Sequence, residues 1–270
     1  MFAYFWLSLI NNHWLIKSSE HQKQPNSIKK YFFKKVNKIS YKTYLNDRLK
    51  QVDFHGQLTY PLYVQVTFER KTIFFKSYYF ELFSKPRYSM AMPDGSIKGP
   101  QMEQVIEKEN EVISFVIDKM KDGFSLEAFK KNYAYLSKDL CDVTEFDFIT
   151  FLYLFFDNRE MPHMAELIKW GTLKLVTYDL IMDFRKVFNS VLYDELLEQA
   201  FEKAPPYLQL YSFMMATKKW PMLCLTAMEW DNMETIRSFK KYVELHYPKL
   251  KSNTLIGQVS AWPNYRRKAF

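Results

Sequence analysis

Hydrophobic and polar side chains alternate along YPLYVQVTFERKTIFFK, which covers residues 60–76. A period of two residues is typical of strands buried on one face, so the pattern predicts two β-strands joined by a turn at Glu69 and Arg70. With that turn, we expect Gln65 to lie opposite Phe74. The core-facing side is then Leu62, Val64, Val66, Phe68, Ile73 and Phe75. The water-facing side is Tyr63, Gln65, Thr67, Thr72, Phe74 and Lys76.

The same alternation is present earlier, in KISYKTYLNDRLK, residues 38–50. It predicts a third strand that carries Lys42, Arg48 and Lys50 on one face. We expect the following QVDFHGQLT to form a loop, and Pro61 to begin the next strand, where its missing N–H does least harm. Three antiparallel strands would leave one face of amides, hydroxyls, rings and cations open to water.

Beyond the strands, the hydrophobic spacing becomes that of α-helices. Apolar residues in QMEQVIEKENEVISFVIDKM recur every three or four positions, and Gly123 follows as a C-cap. Ser125 is placed to cap the next helix. DVTEFDFITFLYLFF has Asp142 three residues before Glu145, a variant of the capping box, and is apolar enough to be a core helix. Further helices are expected near residues 164–170, 178–187, 191–202, 207–217 and 229–244.

These patterns predict an α+β protein, with a small three-stranded antiparallel sheet domain followed by a mainly α-helical domain. The sequence suggests five segments along the chain. They are an apolar N-terminal segment and polar linker (1–33), the sheet domain (34–100), linker helices (101–140), the helical domain (141–250) and a basic C-terminal tail (251–270).

Charge is divided unevenly between the two parts. Residues 1–100 hold 16 Lys and Arg against 6 Asp and Glu, whereas residues 101–270 hold 22 against 24. A basic first third is typical of proteins that meet nucleic acid or an anionic membrane. A solvated basic surface without a partner would give the same count.

Other residue types argue against several kinds of chemistry. Cys141 and Cys224 lie far apart, outside any CxxC motif, and the five histidines are isolated from one another, so we expect no metal and no cofactor. Only 6 Gly in 270 residues argues against a glycine-rich phosphate loop. The apolar N-terminal run is too short to span a bilayer and no basic residue precedes it, so a cytoplasmic protein without a membrane partner is expected.

GQLTYPLYVQVTFERKTIFF, then a polar connector, a long amphipathic helix and DGFSLEAFKK, resembles the N-terminal half of Bacteroidetes-type tyrosine recombinases, of the phage-integrase family. In that family an arm-type DNA-binding sheet and a linker helix lead to a helical core-binding domain. The matching positions are Gly56, Pro61, Leu62, Val64 and Val66 in the sheet, and Gly123, Phe124, Ser125, Glu127 and Phe129 after the linker helix. The resemblance covers roughly residues 34–140, and over 141–250 it rests on helical content alone.

The chain also departs from that family. Glu69 and Arg70 stand where the hairpin usually has Asn-Gly or Asp-Gly, and Gln65 replaces a common Arg. The recombinase catalytic domain should supply an HxxR pair and a nucleophilic tyrosine, but no HxxR is present in the sequence, and Tyr265 lies in the tail. The resemblance therefore implies the DNA-binding parts of a recombinase without its active site.

The resulting hypothesis is a non-catalytic accessory or regulatory protein that binds double-stranded DNA and has no small-molecule substrate. Its expected phosphate contacts are Lys42, Arg48, Lys50, Arg70, Lys71 and Lys76. The expected groove contacts are Tyr63, Gln65 and Thr67.

Two other functions stay open. The same fold would serve as a protein-interaction module, in which the exposed Phe74 and tyrosines contact another protein or a second copy of the chain. Asp53 followed by Glu69 and Lys71 also fits the loose Asp…Glu-x-Lys pattern of metal-dependent nucleases. That pattern is common by chance, and Glu69 and Lys71 flank a turn instead of lying within a strand.

Overall fold

The computed structural model describes residues 38–121 and 123–262. Their architecture is α+β, as predicted: a small antiparallel sheet is followed by a mostly helical region. The strands are β1 (Ser40–Leu45), β2 (Val52–Phe54), β3 (Gln57–Thr59), β4 (Leu62–Phe68), β5 (Lys71–Lys76), β6 (Met90–Ala91) and β7 (Ile97–Lys98).

The main sheet has the strand order β1-β4-β5. Its β4–β5 register is the predicted one, with Gln65 opposite Phe74 and Val66 opposite Ile73. Glu69 and Arg70 form the two-residue turn, and both have positive φ, 50° and 66°. Two left-handed residues define a turn whose twist matches that of the flanking strands, although the conformation is unfavourable for residues other than Gly, Asn or Asp.

The prediction for β1 was wrong at its C-terminal end. The strand stops at Leu45, and Asn46 begins a turn, in which its side-chain oxygen accepts a hydrogen bond from the Arg48 N–H at 3.3 Å. Arg48 and Lys50 therefore lie outside the strand. Asn and Asp side chains that bond the backbone two residues ahead favour turns over strands, which the alternation alone did not reveal.

The segment predicted as a loop before β4 instead holds the β2–β3 hairpin. Its turn is His55 and Gly56, with φ values of 54° and 81°. After β5 the chain continues into α1 (Tyr78–Phe83), capped by Ser77, whose hydroxyl accepts the Phe80 N–H at 3.1 Å. A 3-10 turn and the β6–β7 hairpin lead to the helices.

The remaining helices are α2 (Met102–Lys119), α3 (Leu126–Leu136), α4 (Leu140–Asp157), α5 (Pro162–Gly171), α6 (Thr177–Val187), α7 (Ser190–Lys203), α8 (Tyr207–Thr217), α9 (Ala227–Trp230), α10 (Met233–His246) and α11 (Ser252–Ser260). Ser125 caps α3, as predicted. The predicted start of α4 was wrong, because Asp139, not Asp142, is its N-cap and accepts the Cys141 N–H at 2.8 Å. The helix predicted over 229–244 is divided into α9 and α10, and α10 is capped by Asn232.

The inner face of the main sheet packs on α2 and α3. The Phe75 and Tyr133 ring centres are 4.7 Å apart. At β1 the contact is polar, since the Thr43 hydroxyl donates to the Asn110 side-chain oxygen at 2.7 Å. Residues 38–262 all belong to one compact unit, and a division at residue 100 into independently folding domains stays a prediction.

Two groups of buried polar residues connect the sheet, α1 and the helices, and we call their six members the buried polar junction. In the first, the fully buried Glu109 carboxylate accepts hydrogen bonds from the hydroxyls of Ser77 and Tyr133. Burial raises the pKa of Glu109, and the two hydroxyl hydrogen bonds oppose this rise.

The second group of the junction is built on an ion pair. Arg87 Nη2 lies 3.1 Å from Asp139 Oδ2, and only 6% of the Arg87 side chain is exposed. The Tyr88 hydroxyl lies 3.2 Å from the same carboxylate oxygen and 2.9 Å from the Leu223 carbonyl oxygen. Burial raises the pKa of Asp139, and the Arg87 guanidinium opposes this rise.

Among the described residues, no helix has the length and apolar character needed to cross a membrane.

Candidate nucleic-acid interface

Nine outward side chains of β1, β4 and β5 form the candidate site, which we call the open face. The strand register arranges them in three rows across the sheet. The rows are Ser40, Thr67 and Thr72; Lys42, Gln65 and Phe74; and Tyr44, Tyr63 and Lys76. None of the nine belongs to the hydrophobic core of the described residues. Gln65 is at the centre of this surface, between Lys42 and Phe74.

The open face mixes hydrogen-bonding groups, rings and cations. The Thr67 and Thr72 hydroxyl oxygens are 3.0 Å apart, and Lys42 Nζ lies 5.4 Å from the centre of the Tyr44 ring. Phe74 is 59% exposed. The Gln65 amide, which carries both donors and an acceptor, forms no hydrogen bond with any described residue.

Basic residues lie at both ends of the open face. Arg70 is exposed at the β4–β5 turn, next to the row that contains Ser40. Arg48 and Lys50 follow the other end of β1, where Lys76 ends β5. Six residues at about 3.3 Å each separate these ends by about 20 Å. The arrangement is a polar surface with cations at each end and Lys42 between them.

The structure thus brings together most, but not all, of the predicted contact residues. Lys42, Tyr63, Gln65, Thr67 and Lys76 lie on the open face, and Arg48, Lys50 and Arg70 lie at its ends. Lys71 differs, because it pairs with Phe68 and alternation points it to the side of Ile73 and Phe75. Lys76 is partly neutralised, since its Nζ is 2.8 Å from Glu81 Oε1.

The basic excess of the first hundred residues is smaller on this surface than the sequence count indicates. Residues 1–37 contain six of the 16 cations and one of the six acids, and they lie outside the described residues. Two more cations are held by α4 and its N-cap: Arg87 pairs with Asp139, and Lys85 pairs with Asp142. Eight cations of the first hundred residues remain, against five acids of the same stretch. The cations are Lys38, Lys42, Arg48, Lys50, Arg70, Lys71, Lys76 and Lys98.

Ser40, Tyr44, Thr72 and Phe74 complete the open face but were not among the predicted DNA contacts, and Phe74 was expected only as a contact to another protein. The signal for them was present in the sequence, because they share the two-residue alternation with Lys42 and Gln65.

The residues of the nuclease pattern lie on different hairpins. Asp53 belongs to β2 and accepts the Gly56 N–H at 3.3 Å. Phe54, the next residue, stacks on Phe80 of α1. Helix α1 follows the C-terminal end of β5, whereas Glu69 precedes the N-terminal end of that strand. Within residues 38–121 and 123–262, no group of three or more His, Cys, Asp or Glu side chains is placed to hold a metal ion.

Comparison with known proteins gives no relative: no family model, no curated protein and no solved structure matches this chain.

Proposed function

We propose that the open face binds double-stranded DNA and that the protein is a non-catalytic DNA-binding accessory or regulatory protein, similar to the arm and core-binding parts of a tyrosine recombinase. One observation carries the proposal: a three-stranded face that stays outside the core of the described residues has hydrogen-bonding side chains in its middle and cations at both ends. Specific DNA-binding surfaces have this division, because cations contact phosphates and amides or hydroxyls contact base edges.

The dimensions of the face suit the major groove. Three strands spaced about 4.8 Å apart give a backbone width of about 10 Å, and the groove is about 12 Å wide. Gln65 at the centre has the donor–acceptor pair that reads adenine, and Lys42 beside it is a donor suited to guanine. Phe74 and the Thr methyl groups offer apolar contacts to the thymine methyl group.

The first test is binding of the full chain to a labelled duplex of random sequence, followed by fluorescence anisotropy over a salt series. Lys42→Glu is the informative variant, because this lysine lies on the open face and has no acidic partner among the described residues. Lys130→Glu is the matched control, since Lys130 is exposed on α3 and the net charge changes equally. We expect wild-type affinity to fall steeply with salt.

Lys42→Glu should weaken binding by about tenfold or more, whereas Lys130→Glu should have little effect. The logarithmic salt dependence should become shallower by about 0.9 for each lost phosphate contact. Equal weakening by both variants would show that only the net charge of the chain matters. Absence of wild-type binding at roughly 50 mM salt would contradict the proposal.

One observation favours a second candidate, a protein-interaction surface. Phe74 is exposed in the central row of the open face, and exposed aromatic side chains are frequent anchors of protein interfaces. Phe74→Ser should abolish such an interaction, while Lys42→Glu should leave most of it. For DNA binding the order of the two effects is reversed, so the same pair of variants separates the two functions.

A further inference from the structure

A groove in the helical region has a different character from the open face. Two adjoining clefts of about 810 and 360 Å³ are lined by α6, α7, α8 and the end of α10. They share Asp194, Leu197 and Phe201 of α7, so they form one continuous depression along that helix. It contains no residue of the open face. We call this depression the α7 groove.

One edge of the α7 groove is an acidic ridge. Asp194, Glu198 and Glu202 are exposed and four residues apart, so they lie in line on one side of α7. None of the three forms a salt bridge within the described part of the chain, whereas Glu195, on another side of α7, pairs with Arg159. The ridge therefore carries three carboxylates whose charge no neighbouring cation neutralises at close range.

The floor of the α7 groove is apolar and held in place by the core. Leu197 and Phe201 are half-buried, and the Phe201 ring lies edge-on to Tyr247 at 5.7 Å. Tyr247 is fixed by a hydrogen bond of 2.9 Å between its hydroxyl and that of Ser212. The floor also includes Tyr178, Met182, Tyr193, Leu208 and Leu250. These contacts between side chains fix the position of the floor.

Two cations also line the groove, on elements other than α7. Arg185 comes from α6, and Lys249 follows α10. Neither forms a salt bridge with the ridge. Charge in the groove is thus separated by side, with acids along α7 and single bases at the other walls.

We propose that the α7 groove binds an amphipathic helix of a partner protein that carries Lys or Arg along one side. An apolar floor beside a helix ridge is the usual receptor for such a segment, whose side chains at positions i, i+3, i+4 and i+7 enter the groove. The ridge is about 12 Å long, eight residues at about 1.5 Å each. It therefore matches two to three turns of a partner with basic residues at intervals of three or four.

The negative charge of the acidic ridge favours a basic partner. Residues 101–270 hold 22 Lys and Arg against 24 Asp and Glu, so the helical region is close to neutral, and the three unpaired carboxylates make the ridge a local site of attraction for a basic peptide. DNA is disfavoured here because phosphates would face three carboxylates. The proposal stands whether or not the open face binds DNA.

The probe for this proposal is a labelled synthetic peptide of 14 residues, in which Leu and Lys follow helical spacing. A peptide with Glu in place of Lys is its counterpart. Binding to the full chain is measured by fluorescence anisotropy. The variant is Glu198→Lys, at the centre of the ridge, and the control is Glu107→Lys, an exposed mid-helix position on α2 with the same charge change.

We expect the Leu-Lys peptide to bind and the Leu-Glu peptide not to bind. Glu198→Lys should weaken binding by about tenfold or more, and Glu107→Lys should not. Leu197→Ala should also weaken it, with thermal unfolding used to confirm that the variant folds. Equal binding of both peptides, or equal effects of Glu198→Lys and Glu107→Lys, would overturn the proposal.

Two further measurements test whether the peptide and DNA bind to different surfaces. Glu198→Lys should retain the affinity of the wild type for duplex DNA, and Lys42→Glu should retain the affinity for the Leu-Lys peptide. Short oligolysine, which has charge but no apolar face, should fail to compete with the peptide. Competition by oligolysine at equal charge concentration would show a site for cations alone and would overturn the helix-binding proposal.

Discussion

The open face and the buried polar junction are both rich in polar side chains, but those side chains have opposite surroundings. On the open face, neither the Gln65 amide nor the Lys42 ammonium group forms a hydrogen bond or ion pair with a described residue, and Lys42 Nζ lies over the Tyr44 ring. In the junction, Glu109 accepts two side-chain hydroxyl hydrogen bonds, and Asp139 lies against a guanidinium. The first set lies outside the core of the described residues. The second set is buried, and its side chains contact one another, although Arg87 pairs with Asp139 through Nη2 and neither of its Nη atoms forms a hydrogen bond with a described residue.

This difference predicts how each region responds to substitution. A side chain removed from a water-facing surface leaves its neighbours hydrated, so the free energy of unfolding changes little. A partner removed from the interior leaves the other polar group buried without compensation. Stability should therefore depend on the junction and ligand binding on the open face.

The largest effect is expected for Asp139→Ala. It leaves the buried Arg87 guanidinium without its carboxylate and removes the N-cap of α4, so we expect a loss of about 3–5 kcal/mol in the free energy of unfolding. Urea unfolding followed by circular dichroism measures this change. Asp183→Ala, which breaks an exposed pair with Lys186, is the control and should cost less than about 1 kcal/mol. Similar values for both would show that burial does not distinguish the two pairs.

A smaller loss is expected for Glu109→Ala. The substitution leaves the Ser77 and Tyr133 hydroxyls without their acceptor and opens a small cavity, which together cost about 2–3 kcal/mol. Glu109→Gln keeps an acceptor and nearly the same volume, so at pH 4 its stability should be close to that of the wild type. Equal losses for Ala and Gln in urea unfolding at pH 4 would show that the amide cannot replace the protonated carboxyl group in this site.

The same site gives a pH dependence whose sign can be stated. The folded state raises the pKa of Glu109 above its ordinary value of 4.5, so the native protein binds this proton more tightly than the unfolded chain. Stability is therefore lost as pH rises from about 4.5 through the raised pKa. Urea unfolding between pH 4 and pH 8 should show a weaker decline for Glu109→Gln than for the wild type. Some decline should persist, because the pKa of Asp139 is also raised.

A modest gain in stability is expected from a substitution in the β4–β5 turn, at one end of the open face. Glu69 has a φ of 50°, and Asn tolerates that conformation better than Glu, so Glu69→Asn should stabilise the protein by about 1 kcal/mol. Glu69→Gln removes the same charge without the conformational advantage and serves as the control. Equal stabilisation by Asn and Gln would attribute the gain to charge instead of backbone conformation.

The smallest effect on stability is expected at Gln65. Gln65→Ala should change the free energy of unfolding by no more than about 0.5 kcal/mol. It should also leave affinity for random duplex nearly unchanged while altering which sequences are preferred, because amides read bases and do not neutralise phosphates. Selection from a random duplex pool by wild type and variant measures that preference. Identical selected sequences would exclude Gln65 from base contact.

Much of the main sheet could be predicted from the sequence, because one buried face determines on which side of the sheet each side chain lies. The pairing of Gln65 with Phe74 follows from Val64, Val66, Ile73 and Phe75 needing the same side, and a slip of one residue would expose all of them. That reasoning holds even though the turn lacks the usual Asn-Gly.

The alternation of hydrophobic and polar residues could not show where a strand ends. Arg48 and Lys50 continue the alternation of Lys42, but the Asn46 side chain bonds the backbone and turns the chain away. Short elements had the same difficulty, since β2 and β3 have three residues each and show no period.

The junction was only partly within reach of sequence patterns. Glu109 lies on the apolar side of its amphipathic helix, three or four residues from Val105 and Val112, so helical spacing distinguishes it from the exposed Glu107. The spacing could not show its partners, because Ser77 is 32 residues away and only tertiary packing brings Ser77 and Tyr133 to the carboxyl group. The acidic ridge was visible as a spacing of four on α7, but the apolar groove beside it depends on α6, α8 and the end of α10.

Glu69 and Arg70, at the end of the open face, have a left-handed backbone conformation that is unfavourable for L-amino acids of their type. The mirror-image amino acids prefer positive φ, so D-residues would be conformationally relaxed there. In a protein made by chemical synthesis, D-Glu and D-Arg at these two positions would keep the composition unchanged while testing the backbone alone. Chemical synthesis can therefore change the chirality at residues 69 and 70 while the side chains stay the same, which mutagenesis cannot do.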